Sequence, residues 1–186
     1  MLVRGLKASV EAENEIVPIR TDFKVWLAVN ECINSAEPTE NKLATILGLV
    51  YPRLPKSFTG AVRAAMDFYT AGKDGGGGER SFDFSEDSEL ILAAFRQQYG
   101  IDLLRDGLHW HEFLALFSAL GSETLFAKVV SVRTAELSAV SDKNKRQALA
   151  RLKKLYALAP TEAEKRENDK IINSLKRNKG GADGGQ

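Results

Sequence analysis

The chain has 186 residues, of which 44% are hydrophobic and 27% are charged, a composition typical of a globular protein. It is long enough for one domain with a hydrophobic core, or for a domain and an appendage. The single cysteine, Cys32, excludes an intramolecular disulfide framework, and we expect it to be buried in a protein of a reducing compartment. No apolar run is long enough to span a bilayer and no signal-peptide core is visible, so we expect an intracellular protein without membrane contact.

The net charge of +1 hides a strong asymmetry along the chain. Residues 1–142 contain 14 basic and 20 acidic residues, a net charge of −6, whereas residues 143–179 contain 12 and 4, a net charge of +8. This pattern predicts a basic appendage whose partner is nucleic acid, an acidic helix or a second copy of the acidic body. We therefore divide the chain into a helical core domain at 1–140, a basic helical extension at 141–179 and a disordered tail at 180–186.

A small β-hairpin is predicted at the N-terminus, with strands at Leu2–Ala12 and Glu15–Arg20 joined by a turn. Pro18 indicates an edge strand, because proline cannot donate a hydrogen bond to a neighbouring strand. Since an isolated hairpin is only marginally stable in water, we expect it to pack against the helices that follow.

Three amphipathic helices are predicted after the hairpin, because apolar residues recur at helical spacing in each segment. Pro52 and Pro55 separate the second from the third, since the residue before a proline is disfavoured in a helix. The expected first residues or N-caps of the three helices are Thr21 or Asp22, Thr39, and Ser57 or Thr59.

The glycine-rich segment from Ala71 to Ser81 invites comparison with a phosphate-binding loop. A P-loop requires a glycine-lysine pair followed by Ser or Thr, between a strand and a helix. Here Lys73 precedes the glycines, Asp74 follows the lysine, and a helix precedes the segment. The sequence therefore predicts a flexible surface loop.

The segment Phe82–Leu120 carries the clearest helical pattern of the chain and most of its aromatic residues. We predict Ser85 as the N-cap of its first helix, and Gly100 as the glycine that ends this helix. Two adjacent amphipathic helices predict an antiparallel helical hairpin in the core. The carboxylates expected in the first turn are Glu86, Asp87 and Glu89, and the aromatic residues assigned to the fold are Phe95, Trp110, Phe113 and Phe117.

Two histidines, His109 and His111, are the only residues in this segment that suggest a metal site. A pair of metal-binding histidines on a helix lies one turn apart, whereas these are two residues apart and point to different faces. We therefore predict that they flank a buried Trp110 and bind no metal. No catalytic constellation is recognisable elsewhere, which favours an interaction protein without a cofactor over an enzyme.

The C-terminal third is predicted to be helical and basic. One helix is expected after Ser122 and a longer one is opened by Ser141-Asp142 and ended by Pro160. Because its basic residues alternate with leucines, the longer helix is typical of a packing helix with a solvated face, and nucleic acid is the less favoured partner. Thr161 and Glu164 form a capping-box pattern before a last helix, whose few apolar residues are Ile171, Ile172 and Leu175.

Several sequence words occur in an order that resembles a bacteriophage family, often called gene product fifteen. They are IRTDFKVWLAV, a YP-containing segment, FDFSEDSELILAAFRQQYGIDLL, LHWHEFLALFSAL and LKKLYALA. The resemblance covers Glu15 to Ala159, with departures at His111 and in the glycine-rich loop. Members of this family are encoded between the major tail protein and the tape measure protein of long-tailed phages and prophages.

The resemblance implies a tail assembly chaperone that binds the tape measure protein in the host cytoplasm and is absent from the mature virion. The major tail protein and a second copy of the chain are further candidate partners. Two alternatives remain open: a structural virion component, such as a tail-completion or head–tail connector protein, and a nucleic-acid-binding regulator. The residues that we expect to contact the partner are Arg146, Arg151, Lys153, Lys154 and Tyr156.

Overall fold

The structure is a computed structural model, and it describes residues 6–72, 80–161, 164, 165 and 170. The described part is mostly α-helical with one two-stranded antiparallel sheet, which confirms the predicted fold class. The strands are β1 (Ser9–Ala12) and β2 (Glu15–Pro18). The helices are α1 (Phe23–Asn34), α2 (Thr39–Val50), α3 (Phe58–Tyr69), α4 (Ser88–Tyr99), α5 (Trp110–Ser118), α6 (Leu125–Thr134) and α7 (Lys143–Leu155), with a short 3₁₀ turn at Leu137–Ala139.

The hairpin has the predicted turn but shorter strands, and β1 pairs with β2 so that Ser9 lies opposite Pro18. Residues 6–8 of the predicted first strand are outside β1. The hairpin packs against α3, where the backbone of Ala12 lies close to Gly60. Val17, fully buried, anchors the hairpin in the core, as an isolated hairpin requires.

Most helix starts follow the predicted capping chemistry. Asp22 accepts a hydrogen bond from the backbone N–H of Lys24 over 2.8 Å, and Ser57 accepts one from Gly60 over 3.0 Å. Asp142 likewise accepts from the N–H of Lys145 over 2.8 Å. Side-chain oxygens thus bind N–H groups that the first helical turn leaves without partners.

Two predicted caps are wrong. Helix α4 begins at Ser88 rather than after Ser85, because Asp83 Oδ1 accepts the backbone N–H groups of Ser85 and Glu86 and holds them in a turn. Helix α6 is capped by the buried Thr124 rather than by Ser122, and Thr124 Oγ1 accepts from the N–H of Ala127 over 3.2 Å.

The core is built around two tryptophans, Trp26 of α1 and Trp110 of α5, which are 0% and 1% exposed. Each indole N–H donates to a backbone carbonyl over 2.8 Å, of Arg20 and Tyr69 respectively. Burial therefore removes the two rings from water without leaving a polar atom unsatisfied. Phe95 and Phe113 are also buried, which confirms their predicted role in the fold.

Helices α4 and α5 contact each other, but not as the predicted antiparallel hairpin. Phe95 stacks on Phe113 with ring centroids 5.3 Å apart, and four residues later the hydroxyl of Tyr99 donates to the carbonyl of Leu116 over 2.8 Å. The contacts thus advance in the same direction along both helices, whereas an antiparallel pair would reverse them. The intervening segment of residues 100–109 allows this, because it runs back to pair with the residues before α1.

Helix α7 packs on α6 and completes the described fold. The predicted capping box after it is present: the N–H of Glu164 donates to Thr161 Oγ1 over 3.1 Å, and Glu164 Oε2 accepts from the N–H of Thr161 over 2.6 Å. The glycine-rich residues 73–79, the predicted apolar residues of the last helix and the predicted tail 180–186 lie outside the described residues.

Candidate partner-binding surfaces

The two histidines have structural partners. His109 is the N-cap of α5: its Nδ1 accepts the backbone N–H of His111 over 3.1 Å, and its Nε2 donates to the carbonyl of Lys7 over 3.0 Å. His111 Nε2 donates to the carbonyl of Phe68 over 2.8 Å. Burial lowers the pKa of His111 below its usual range, which favours the neutral imidazole. Within the described residues, no group of three His, Cys, Asp or Glu side chains is placed to hold a metal ion.

Cys32 is half-buried rather than buried, and its Sγ lies 3.7 Å from the carbonyl oxygen of Lys42. The thiol therefore packs between α1 and α2, close to its expected structural role. In the part of the chain that the structure describes, no helix has the length and apolar character needed to cross a bilayer.

A buried ion pair joins α4 to α6. Arg133 Nη1 and Nη2 donate to Asp87 Oδ2 and Oδ1 over 2.7 and 2.8 Å, and the two side chains are only 11% and 3% exposed. Asp87 was expected to be a carboxylate of the first helical turn, yet it makes no capping hydrogen bond to α4. Its second partner is the N–H of Asp83, at 3.0 Å. Asp87 therefore stabilises the packing of two helices, rather than the start of one.

The same arginine binds the end of α7. Arg133 Nε donates to the carbonyl of Tyr156 over 2.6 Å, and Nη1 donates to the carbonyl of Ser81 over 3.2 Å. In return, Lys153 Nζ donates to the carbonyls of Arg133 and Ala135 over 2.6 and 2.8 Å. These carbonyls lie at the C-terminal end of α6, where a helix carries partial negative charge and favours a cation.

The residues after α7 are held by further polar contacts. The guanidinium of Arg80 donates to the carbonyl of Ala159, whose N–H donates to Glu86 Oε2 over 3.0 Å. Arg80 also lies 3.9 Å from the carboxylate of Glu164. Helix α7 itself contains no buried residue. Its position on the body is therefore fixed mainly by charge-assisted hydrogen bonds rather than by apolar burial.

The five predicted contact residues fall into two groups. Arg146, Arg151 and Lys154 are exposed. Lys153 and Tyr156 are half-buried, and both are engaged with Arg133 as described above. Lys153 and Tyr156 lie three residues apart on the side of α7 whose contacts are with the end of α6, whereas Arg151 and Lys154 lie on another side of the helix. The structure thus leaves Arg151 and Lys154 in solvent, binds Arg146 Nη1 to the carbonyl of Val140 over 3.4 Å, and uses the second group to attach α7.

An apolar groove that the sequence did not single out lies between α1 and α4. It has a volume of about 380 Å³ and its floor includes the buried rings of Phe23 and Phe113. The volume falls in the range of roughly 300–1,000 Å³ that is common for ligand sites. Side chains that line its accessible part are Leu27, Phe84, Leu92 and Leu104, and its polar lining residues are Lys24, Ser88 and Glu89.

The polar rim of this groove is partly occupied by internal contacts. Lys24 Nζ donates to the carbonyl of Leu104 over 3.1 Å, so its ammonium is bound at one edge. Glu89 is exposed and forms no ion pair among the described residues. Leu104 is 71% exposed beside the fully packed Leu103. Two features of the sequence could have indicated this groove: Leu92, an apolar residue outside the main apolar stripe of α4, and the adjacent leucines Leu103 and Leu104.

The sequence matches the family described as Bacteriophage Gp15 protein over residues 2–158. The match includes both strands and all the helices named above, with the groove and the whole of α7. Comparisons with curated proteins and with solved structures find no match to this chain.

Proposed function

We propose that this chain, which belongs to the bacteriophage Gp15 protein family, is a tail assembly chaperone that binds the tape measure protein. Membership of the family indicates a phage structural or assembly protein. The narrower role is our proposal. In it the chain is a non-enzymatic binding protein of the host cytoplasm, without a cofactor, and it leaves the tail before the virion is complete.

The observation that carries the proposal is the open apolar groove between α1 and α4. A tape measure protein is long and largely helical, so its apolar stripes need cover until the tail tube forms around them. A groove lined by leucine and phenylalanine side chains suits the apolar face of such a helix. In this mechanism, large side chains of the tape measure helix enter the groove while the exposed cations of α7 attract its carboxylates.

Co-expression tests this proposal directly. The soluble yield of the tape measure protein should rise when this chain is present, and the two proteins should co-purify. We expect Leu104→Glu to reduce co-purification, because it places a charge at the rim of the groove. Leu54→Glu is the matched control, since Leu54 is 58% exposed and does not line the groove. Equal yields with and without the chain would exclude the chaperone role.

Mass spectrometry of purified particles separates a chaperone from a structural virion component. A chaperone should be present in infected cells and absent from finished virions. Detection of the chain at a fixed ratio to the major tail protein would instead make it a tail-completion or connector protein.

A further inference from the structure

The outward side of α7 carries a narrow apolar stripe that the described residues leave partly exposed to solvent. Leu152 is 41% exposed and Leu155 is 71% exposed, and the exposed Ala148 lies one turn before them. Residues at i, i+4 and i+7 lie along one face of a helix. Exposing two leucines on a helix this polar is unfavourable in water, which is the usual reason to look for a partner.

Exposed cations flank this stripe on both sides. Lys145 and Arg151 lie next to the leucines and Lys154 lies further round the helix, and all three are exposed. Helix α7 contains six basic residues and no acidic residue. Among the described residues, none of these three cations forms an ion pair. The charge on this face is therefore not neutralised within the described fold.

The orientation of this face is fixed by the opposite side of α7. There, Lys153 binds the carbonyls at the end of α6, and the carbonyl of Tyr156 accepts from Arg133. A helix that is attached along one side presents the other side in a defined direction. A partner would thus bind a preformed surface and would not have to order α7 first.

We infer that the outward face of α7, defined by Ala148, Leu152 and Leu155 with Lys145, Arg151 and Lys154, binds an acidic amphipathic helix. The partner places apolar side chains at i, i+4 and i+7 on the leucines and aligns carboxylates with the flanking cations. The inference rests on the proposed function for the source of this helix, which we take to be the tape measure protein.

The observations favour a protein helix over the other two anionic partners. A membrane-surface helix carries a broad apolar face with aromatic residues, whereas this stripe consists only of Ala148, Leu152 and Leu155 and contains no aromatic residue. A nucleic-acid surface brings cations to the phosphates, whereas here Leu152 and Leu155 stand between the cations and would be left against a charged backbone.

Two synthetic helical peptides test this inference with the full-length protein. Both carry the same leucine stripe, and the flanking positions are glutamate in one and lysine in the other. We expect the glutamate peptide to bind at least roughly tenfold more tightly in fluorescence anisotropy, and its affinity to fall as salt is raised. Equal binding of the two peptides, or no binding at low salt, would overturn the inference.

Charge reversal supplies the specific variants. Arg151→Glu with Lys154→Glu should reverse the preference to the lysine peptide, and Leu155→Ser should weaken binding of either peptide. The matched control is Arg63→Glu with Lys128→Glu, which makes the same charge change at exposed sites on α3 and α6 and should leave the preference unchanged. A similar effect of both double variants would mean that net charge, rather than this face, governs binding.

Two further probes distinguish the other anionic partners. Anionic lipid vesicles and duplex DNA are offered to the same proteins. The inference would be overturned if the glutamate peptide does not bind while the vesicles or the DNA do, and if charge reversal at Arg151 and Lys154 abolishes that binding. The face would then be assigned to the lipid or to the DNA. If the tape measure protein co-purifies equally with the reversal variant and the unmodified chain, the proposed function stands and this inference fails. If the tape measure protein co-purifies with neither chain while the glutamate peptide still binds, the proposed function fails and the preference of this face for an acidic helix stands.

Discussion

The buried Asp87–Arg133 ion pair provides the sharpest test of how the fold is held together. We consider the single changes Asp87→Leu and Arg133→Met and the double variant. Each single change leaves one charged group buried without its partner, because the two side chains are only 3% and 11% exposed. Removing one partner of such a pair typically costs about 3–5 kcal/mol. That is a large part of the roughly 5–15 kcal/mol that stabilises a typical domain.

The double variant separates the pair from general packing damage. It removes both charges and leaves apolar side chains of similar size, so its loss of stability should be smaller than the sum of the two single losses. We expect a coupling energy of about 1–3 kcal/mol, in the range of contacting residues. Urea unfolding followed by circular dichroism gives the free energy of unfolding of each variant. Additive losses would refute the argument that the pair acts as a unit.

An exposed pair at the C-terminal end of α4 is the matched control. Arg96 pairs with Asp102, but its side chain is 62% exposed, against 11% for Arg133. Water screens such a pair, so Arg96→Met should cost less than about 1 kcal/mol.

A second measurement follows from the hydrogen bond that Arg133 donates to the carbonyl of Tyr156. Replacing Arg133 should also release α7, whose lysines would then be cut faster by trypsin. Unchanged trypsin cleavage of the Arg133→Met variant would refute the attachment of α7 through this residue.

Three smaller changes test local features. Gly60→Ala places a Cβ 2.9 Å from Glu13 Cγ and 3.2 Å from the carbonyl carbon of Ala12, so we expect a loss of about 1–3 kcal/mol in urea unfolding, and a gain would contradict this packing. Gly100→Ala forces a side chain into φ +69°, so thermal unfolding should report a loss of about 1–2 kcal/mol, whereas an unchanged melting temperature would argue against this left-handed cap. Because the pKa of His111 is lowered in the folded protein, the unfolded chain binds this proton more readily. The free energy of unfolding should therefore decrease as the pH is lowered through about 6.5, the usual pKa of histidine. In His111→Gln, stability measured at about pH 7.5 and 5.5 should differ less than in the unmodified chain, and an equal difference would exclude this origin.

Most features that depend on neighbouring residues in the sequence were predictable, with the caps of α4 and α6 as the exceptions. The caps at Asp22, Ser57 and Asp142, and the left-handed Gly100, all follow from hydrogen bonds or backbone geometry within a few residues. The class of fold followed as well, since helical periodicity is local. The capping box at Thr161 is present for the same reason.

Features that depend on distant residues were not predictable. Asp87 has the sequence context of a helix-start carboxylate, and its partner Arg133 lies 46 residues away. Nothing in the pattern distinguishes a cap from half of a buried pair. The relative direction of α4 and α5 was predicted wrongly for a similar reason. The course of residues 100–109 between the two helices depends on the pairing of His109 with Asp22, which lies just before α1. The groove between α1 and α4 arises from the same packing.

The basic extension shows why charge along a sequence is an incomplete guide to a binding surface. The +8 charge of residues 143–179 predicted a basic binding segment, and the sequence assigned Arg151, Lys153 and Lys154 alike to the partner. The fold makes them unequal, because Lys153 neutralises the carbonyl end of α6 while Arg151 and Lys154 remain in solvent. A mutation scan that treats them alike would confuse release of α7 with loss of a partner. Lys153→Ala should therefore lower stability as well as binding, whereas Arg151→Ala should lower binding alone.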